Sequence, residues 1–235
     1  MLTAYKTDRG RRRETNEDAL LVDQENGIFL LADGMGGHQA GEVASRLAVD
    51  VTYVYIRNNL QRAREAHSLS ALLEDAVVHA HTTIREQAGT SPLLNGMGTT
   101  LVIMLIHNTD AYLCHIGDSR AYLLRKGIRQ VTRDHTMDDY LLSRNIMTRG
   151  QKSHILTQAV GTSEHPAPEQ HHLKLQPGDI MLLCSDGLTD MLSDSEIETI
   201  VRRHDGHLAA AAHELIEAAN DRGGKDNISV VLILI

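Results

Sequence analysis

The chain has no Trp and a single Phe, Phe29. Its interior must therefore be filled by Leu, Ile, Val, Ala and Met, and an aromatic surface for stacking on nucleic acid or sugar is not expected. Cysteine is scarce too: Cys114 and Cys184 each sit in an apolar segment with no CxxC spacing. That argues against a disulfide framework or a zinc ribbon and leaves two buried thiols. Positive charge is in deficit, with 23 basic against 31 acidic residues and a net charge of -8. A general DNA or membrane-surface binder is disfavoured, whereas an acidic chain still recruits cations. No apolar run approaches the ~18 residues of a membrane span. The N-terminus, MLTAYKTDRGRRR, turns polar at once and lacks the apolar stretch of a signal peptide, so a cytoplasmic, reducing location is expected. Because no Pro/Gly/Ser-rich linker, internal repeat or low-complexity tract interrupts the chain, residues 1–235 are expected to form one domain.

What is present reads as a series of short strands: Ile28 to Ala32, Leu101 to Ile106, Ala111 to Ile116, Ala121 to Leu124, Ile180 to Cys184 and Ile228 to Ile235. Their nearly continuous apolar character suits strands buried on both faces. Apolar residues recur at three- and four-residue spacing in Gly41 to Asn58 and in Ser70 to Gln87, predicting two helices with one apolar face each. His79 and His81 stand two apart in the second, too far around the helix to share a metal, and read as solvated or locally paired. Ser193 and Glu196 resemble a capping box opening a helix through Arg203, and Leu208 to Ala219 predicts another. The order of strands, two helices, strands, helices and a last strand lacks regular βα alternation, and predicts an α+β layered arrangement over a doubly wound sheet. Asp134 to Gly161 is polar, with a weak helical signal around Met137 to Asn145, and reads as a flap outside the core.

Four acidic motifs carry the chemistry: Asn16-Glu17-Asp18, Asp33-Gly34-Met35-Gly36-Gly37, Ser185-Asp186-Gly187-Leu188-Thr189-Asp190 and Lys225-Asp226-Asn227. Asp33 and Asp186 each end an apolar strand and precede glycine, so a rigid strand carries the carboxylate while the chain can turn sharply beside it. Any one Asp-Gly is ordinarily a turn. Several converging carboxylates, however, repel one another unless cations compensate them, and magnesium or manganese, with oxygen ligands, suit that task. Two such ions can activate water and neutralise a phosphoryl group. Among Arg11, Arg12 and Arg13, a solvated face and an anion site both remain open, and spacing alone does not choose the phosphate partner. Dinucleotide GxGxxG, Walker GxxxxGK[ST] and GxSxG patterns are absent, so nucleotide-fold and serine-hydrolase readings lack support. Gly98-Thr99-Thr100 and Gly161-Thr162-Ser163 read as turns and strand starts.

In order and combined spacing, these motifs with Thr7-Asp8-Arg9-Gly10, Gly117-Asp118-Ser119-Arg120 and Asp226-Asn227-Ile228-Ser229 resemble the compact bacterial form of the metal-dependent PPM/PP2C Ser/Thr phosphatases. The resemblance covers nearly the whole chain. It implies a four-layer αββα sandwich with two central antiparallel sheets and hydrolysis of phosphoserine and phosphothreonine in proteins by a metal-bridging hydroxide, opposite a bacterial Ser/Thr kinase. Two core ions, Mn2+ or Mg2+, are implied, with a third, weaker one. By the same resemblance Asp33 bridges the ions, the Gly34 carbonyl approaches one, Asp186 and Asp226 ligate the second, and Glu17 and Asp18 hold metal-bound waters. Asp118 and Asp190 match the third site, Arg13 the phosphate-binding arginine, and Asn227 a supporting polar residue. Met35 stands where some members carry a proton-donating histidine; a thioether cannot donate a proton, so a metal-bound or ordered water takes that role. Residues 134–161 fall on the family's variable flap. The segment Gly36 to Glu42 is similar to stand-alone phosphatases of type VI secretion control. Protein substrates, a monomer, no nucleic-acid partner and no appended sensor or tether are expected. A small-molecule phosphohydrolase and a non-catalytic phosphoprotein binder are the competing readings.

Overall fold

In the final segment, Ile228, Val230 and Leu232 point to one side of their strand and Val231 and Ile233 to the other, and every one is buried. A strand apolar on both faces needs a partner layer on each, and this requirement organises the molecule. The computed structural model describes residues 1–36, 40–144, 146, 155–162 and 164–235. Its strands are β1 (Leu2–Asp8), β2 (Asp18–Asp23), β3 (Ile28–Met35), β4 (Gly98–Thr99), β5 (Leu101–His107), β6 (Asp110–Ile116), β7 (Arg120–Leu124), β8 (Ile128–Gln130), β9 (Glu169–Lys174), β10 (Ile180–Cys184) and β11 (Ile228–Leu234). The helices are α1 (Ala40–Glu65), α2 (Leu69–Ala88), α3 (Met137–Ser143), α4 (Asp186–Thr189), α5 (Asp194–Arg203) and α6 (Leu208–Asp221).

Two antiparallel sheets form, one ordered β1-β11-β10-β7-β8 and the other β2-β3-β5-β6-β9, with β4 also paired to β3. Helices α1 and α2 cover the second sheet, burying Ile28, Leu30, Leu101, Ile103, Cys114 and Ile116 against Ala44, Ile56, Leu73 and Ile84. Helices α5 and α6 cover the first, over Leu182, Cys184, Val230 and Leu232. Between the sheets lies a third apolar layer, with Phe29, Leu31, Val102 and Met104 facing Met181, Leu183, Val231 and Ile233. The order is helix, sheet, sheet, helix, the expected αββα sandwich, and both cysteines are buried free thiols.

The six expected strands and four expected helices are all present, most with shifted ends and β10 with the expected ones. Helix α1 continues to Glu65 rather than stopping at Asn58, because Leu60 and Ala63 extend its buried face. At α5, Glu196 accepts from both the Ser193 backbone N–H (3.0 Å) and hydroxyl (2.7 Å), the carboxylate half of the capping box. His79 lies tilted against Tyr55, ring centroids 5.0 Å apart, while His81 is buried and paired, its Nδ1 accepting from Gly161 N–H. Within the flap segment, α3 is capped by Thr136, which accepts from Asp139 N–H. Residues 145, 147–154 and 163, and the 37–39 part of the Gly36 to Glu42 segment, lie outside the described residues. No helix among the described residues is long and apolar enough to cross a membrane.

Candidate metal centre

The acidic motifs meet where the two sheets end side by side. Asp18 opens β2 and pairs in register with Asp33 on β3. Asp186 opens α4 just past the end of β10, and Asp226 lies two residues before β11, both strands of the other sheet. Asp118 occupies the connection from β6 to β7, which crosses between the sheets. A cleft of about 490 Å³ is lined by Arg13, Glu17, Asp33, Gly34, Asp118, Asp186, Asp226 and Asn227, with Met35 and Thr100 beside them. Leu156, Thr157, Gln158, Ala159 and Thr162, where the flap segment returns to the core, close one wall.

Backbone-level anchoring explains how the carboxylates stay in place. Asp33 N–H donates to Thr100 Oγ1 at 2.9 Å, and the Asp33 carbonyl accepts from Thr100 N–H (2.9 Å) and Thr99 Oγ1 (2.8 Å). The threonine pair thus clamps Asp33 from a neighbouring strand. Gly34 N–H donates to the Glu17 carbonyl at 3.1 Å, and a Cβ on Gly34 would strike the Gly41 carbonyl at the start of α1; only glycine permits that approach. Asn227, 4 % exposed, is a staple: its Oδ1 accepts from Glu17 N–H at 2.8 Å, and its Nδ2 donates to the Arg9 and Thr15 carbonyls at 2.9 Å each. It fixes the loop bearing Arg13 and Glu17 to the start of β11. Arg13 Nη2 donates to Asp226 Oδ2 at 2.6 Å, while Arg11 turns away toward Glu217. The structure therefore singles out Arg13 among the three arginines as the one paired with an aspartate of the cleft.

The electrostatics ask for cations. Burial, reinforced by the charges of Asp18, Asp186, Asp118 and Asp226, pushes the Asp33 carboxyl well above its ordinary value. Burial and the charges of Asp118, Asp226, Asp190 and Asp18 do the same to Asp186. Asp18 is pushed up to about 6, chiefly by burial, even though Ser185 Oγ donates to its Oδ2 at 2.7 Å. Its Oδ1 is buried without a hydrogen-bond partner. Carboxylates raised by desolvation and mutual repulsion, all oxygen donors, fit hard divalent cations. Among the described residues, no three of these carboxylates bring one oxygen each within 4.8 Å of the others.

Not every expected residue lines the cleft. Asp18 sits behind it, and Asp190, the C-cap of α4, is exposed and outside the lining, with its charge acting on Asp186. Sequence reasoning included Ser185 and Ser119 in its motifs but gave neither a role. Ser185 links Asp18 to β11 by accepting from Ser229 N–H, and Ser119 shares a 2.7 Å hydrogen bond with Thr100. Arg120, bidentate to Asp134 and bonded to the Tyr122 hydroxyl, is a structural tie from β7 to the root of the flap segment.

Comparison with known proteins places the chain among relatives of one kind. The sequence profile of the family described as Protein phosphatase 2C matches residues 7–232. The serine/threonine phosphatase Stp of Listeria monocytogenes is 35% identical, with 99% of this chain and 95% of that protein aligned. The catalytic domain of the serine/threonine protein phosphatase PstP, solved with two manganese ions, superposes with a TM-score of 0.83 at 37% identity, covering 98% and 96% of the two chains. PppA, described as a key regulatory component of type VI secretion in Pseudomonas aeruginosa, superposes with a TM-score of 0.85 at 31% identity, covering 100% and 97%.

Proposed function

The chain belongs to the protein phosphatase 2C family, and we propose on that footing that it is a metal-dependent protein serine/threonine phosphatase working at the cleft between its two sheets. The observation that carries this reading is the convergence of Asp33, Asp186 and Asp226 from different sheets on one cleft that also presents Arg13. Asp33, Asp186 and Asp226, with the Gly34 carbonyl, are the proposed direct ligands of two manganese or magnesium ions. Glu17 and Asp18 would hold their water shell, and Asp118 and Asp190 would serve a third, weaker ion. When bound, the cations supply an activated water nucleophile and neutralise charge on the phosphoryl oxygens.

The residues of the chain do the rest. Arg13 leaves Asp226 to grip two phosphoryl oxygens, a fork-shaped match that lysine cannot reproduce. Asn227 keeps Arg13 and Glu17 in register with Asp226. Met35, on the cleft wall, has no proton to give, so the departing seryl or threonyl oxygen takes its proton from solvent in the cleft. Electrostatic stabilisation accordingly outweighs side-chain acid catalysis.

Several finer features belong to the same proposal: one catalytic domain, residues 134–161 as a substrate-facing flap, a monomer, a cytoplasmic location and a Ser/Thr kinase as counterpart. The likeness to PppA makes phosphoproteins of type VI secretion the first pathway to try. The test is inorganic phosphate release from phosphothreonine and phosphoserine peptides with manganese, with magnesium and after chelation, with phosphorylated metabolites and the Asp186→Asn protein alongside. Metal-restored release from peptides, lost in the variant, is expected. Release from metabolites alone would favour a small-molecule phosphohydrolase, and peptide binding without release a non-catalytic binder.

A further inference from the structure

A second cluster of ligand-type side chains lies away from the aspartates, at the margin of the inter-sheet layer. His115 on β6 pairs in register with Glu169 on β9, and His171 stands two residues along β9. Residues two apart on a strand share a face, so the three side chains project together from rigid, hydrogen-bonded backbone. Among the described residues this is the one trio of His, Cys, Asp or Glu that brings one ligand atom from each within 4.8 Å of the others.

The hydrogen bonds around the trio leave ligand atoms available. His115 is fully buried, and its Nε2 lies 2.8 Å from the Arg133 carbonyl. A carbonyl only accepts, so Nε2 carries the proton and Nδ1 keeps its lone pair. That Nδ1 is buried with no hydrogen-bond partner, and so is Nε2 of His171. An imidazole oriented by a carbonyl through one nitrogen and bare at the other is the arrangement that metal-binding histidines adopt. His135 completes the surroundings. Its Nδ1 accepts from Gly117 N–H at 3.2 Å, so its Nε2–H faces Glu169 Oε1 at 3.6 Å. It is placed to orient Glu169 rather than to ligate. Burial lowers the titration of His115, to about 4, and also lowers those of His171 and His135; neutral imidazole is the ligating form.

We propose that His115 Nδ1, His171 Nε2 and a Glu169 carboxylate oxygen form a binding site for a zinc-class divalent cation, separate from the acidic centre. Two imidazoles and one carboxylate select zinc over magnesium or calcium, which prefer all-oxygen shells. Ligand atoms at about 2.1 Å from a tetrahedral zinc stand about 3.4 Å apart. Small side-chain rotations of His171 and Glu169, whose side chains are 25% and 42% exposed, close the trio to that spacing and leave the fourth position for water. The site touches the phosphatase cleft through one short path. His135 binds both backbone groups of Gly117, next to Asp118, and its carbonyl accepts from Thr157 N–H on the cleft wall.

The experiment uses the full chain with Asp33→Asn and Asp186→Asn together, which removes the acidic centre as a competitor, alongside the unsubstituted protein in excess magnesium. Cobalt(II) is titrated as a coloured probe and then displaced by zinc. One equivalent with the intense visible bands of a nitrogen-containing, low-coordinate site is expected in both proteins. Because replacing buried His115 endangers the fold, the decisive variants are His171→Ala and Glu169→Gln. Each should weaken zinc binding about 100-fold or more, and His135→Gln about tenfold, while manganese-dependent phosphate release by His171→Ala stays at the unsubstituted level. Absence of the cobalt bands, their loss with the aspartate substitutions, or zinc affinity unchanged in His171→Ala would overturn the site. None of these outcomes bears on whether the acidic centre hydrolyses phosphoesters.

Discussion

Arg13 and Asp226 hold each other at 2.6 Å across a separation of 213 residues in the chain. The guanidinium is half-exposed and the carboxylate nearly a third exposed, so the pair is a switchable contact at the lip of the cleft rather than a buried anchor. A cation held by Asp226, as proposed, would compete with Arg13 for the same oxygens and free the guanidinium for phosphate. Losing a charge-assisted fork costs about 1.5–3 kcal/mol. Arg13→Ala should therefore lower kcat/KM for phosphopeptides about 10- to 100-fold, with most of the loss in KM, and Arg13→Lys should recover only part of it. Steady-state kinetics in saturating manganese decide this; an unchanged KM would leave Arg13 with no role beyond the ion pair.

Asp33→Asn separates stability from turnover. The amide removes one of several mutually repelling carboxylates, so the chelated protein should melt higher than the unsubstituted chain by a few degrees, at about 2–4 °C per kcal/mol. Phosphate release should fall by at least ~100-fold if Asp33 is the metal ligand proposed above. Differential scanning calorimetry in chelator, paired with the release assay, measures both; a lower melting point in chelator would contradict the repulsion argument.

The pH response should reverse when metal is removed. Asp18, Asp33 and Asp186 have folded-state values raised above their ordinary ones, so the metal-free fold binds protons more tightly than the unfolded chain. Such a group contributes stability that is complete below its unfolded value near 3.8 and lost as pH rises through its folded value, about 6 for Asp18; linkage fixes that sign. In chelator the melting point should fall as pH climbs through that window and beyond. With manganese the carboxylates stay ionised, so the gain on adding metal should grow with pH. Asp8, Asp23 and Asp179 are lowered despite their burial, by hydrogen bonds together with cations such as Arg11, Arg57 and Arg125, and lose their contributions only in more acidic solution. Thermal melts in chelator that rise across the window would refute the assignment.

Asn227→Ala removes three hydrogen bonds from a buried position. At about 1 kcal/mol each, the loss is about 3 kcal/mol, or about 6–12 °C in melting point. The loop bearing Arg13 and Glu17 should loosen first, which hydrogen exchange of residues 9–17 reads directly. Protection unchanged in that loop would mean the staple is redundant.

The elements easiest to find in the sequence were those whose burial is two-sided. β3, β5, β10 and β11 read as unbroken apolar runs because each feeds two apolar layers. β1 and β9 went unread because they lie at sheet edges, where half-exposed sequences such as Leu2–Asp8 and Glu169–Lys174 carry Lys, His and Glu. Asp33 and Asp186 were legible for a related reason, each ending an apolar run before glycine. The Thr100 clamp, the Asn227 staple and the quartet His115, His135, Glu169 and His171 depend on contacts between segments far apart in sequence. No local periodicity encodes these, and Asp118 and Asp190, alike as sequence motifs, part company only in three dimensions.

The candidate ligands are divided between the sheets, Asp33 on a strand of one and Asp186 and Asp226 flanking strands of the other, and side-chain packing, together with a few hydrogen bonds at this end, sets the gap between those sheets. The apolar layer of Phe29, Val102, Met181 and Val231 therefore works as a caliper. Its thickness is the jaw width of the metal centre. A methylene gained or lost there, far from any oxygen atom, would shift Asp33 relative to Asp186 and Asp226, so the interior of this protein bears on the chemistry of that cleft as much as on its fold.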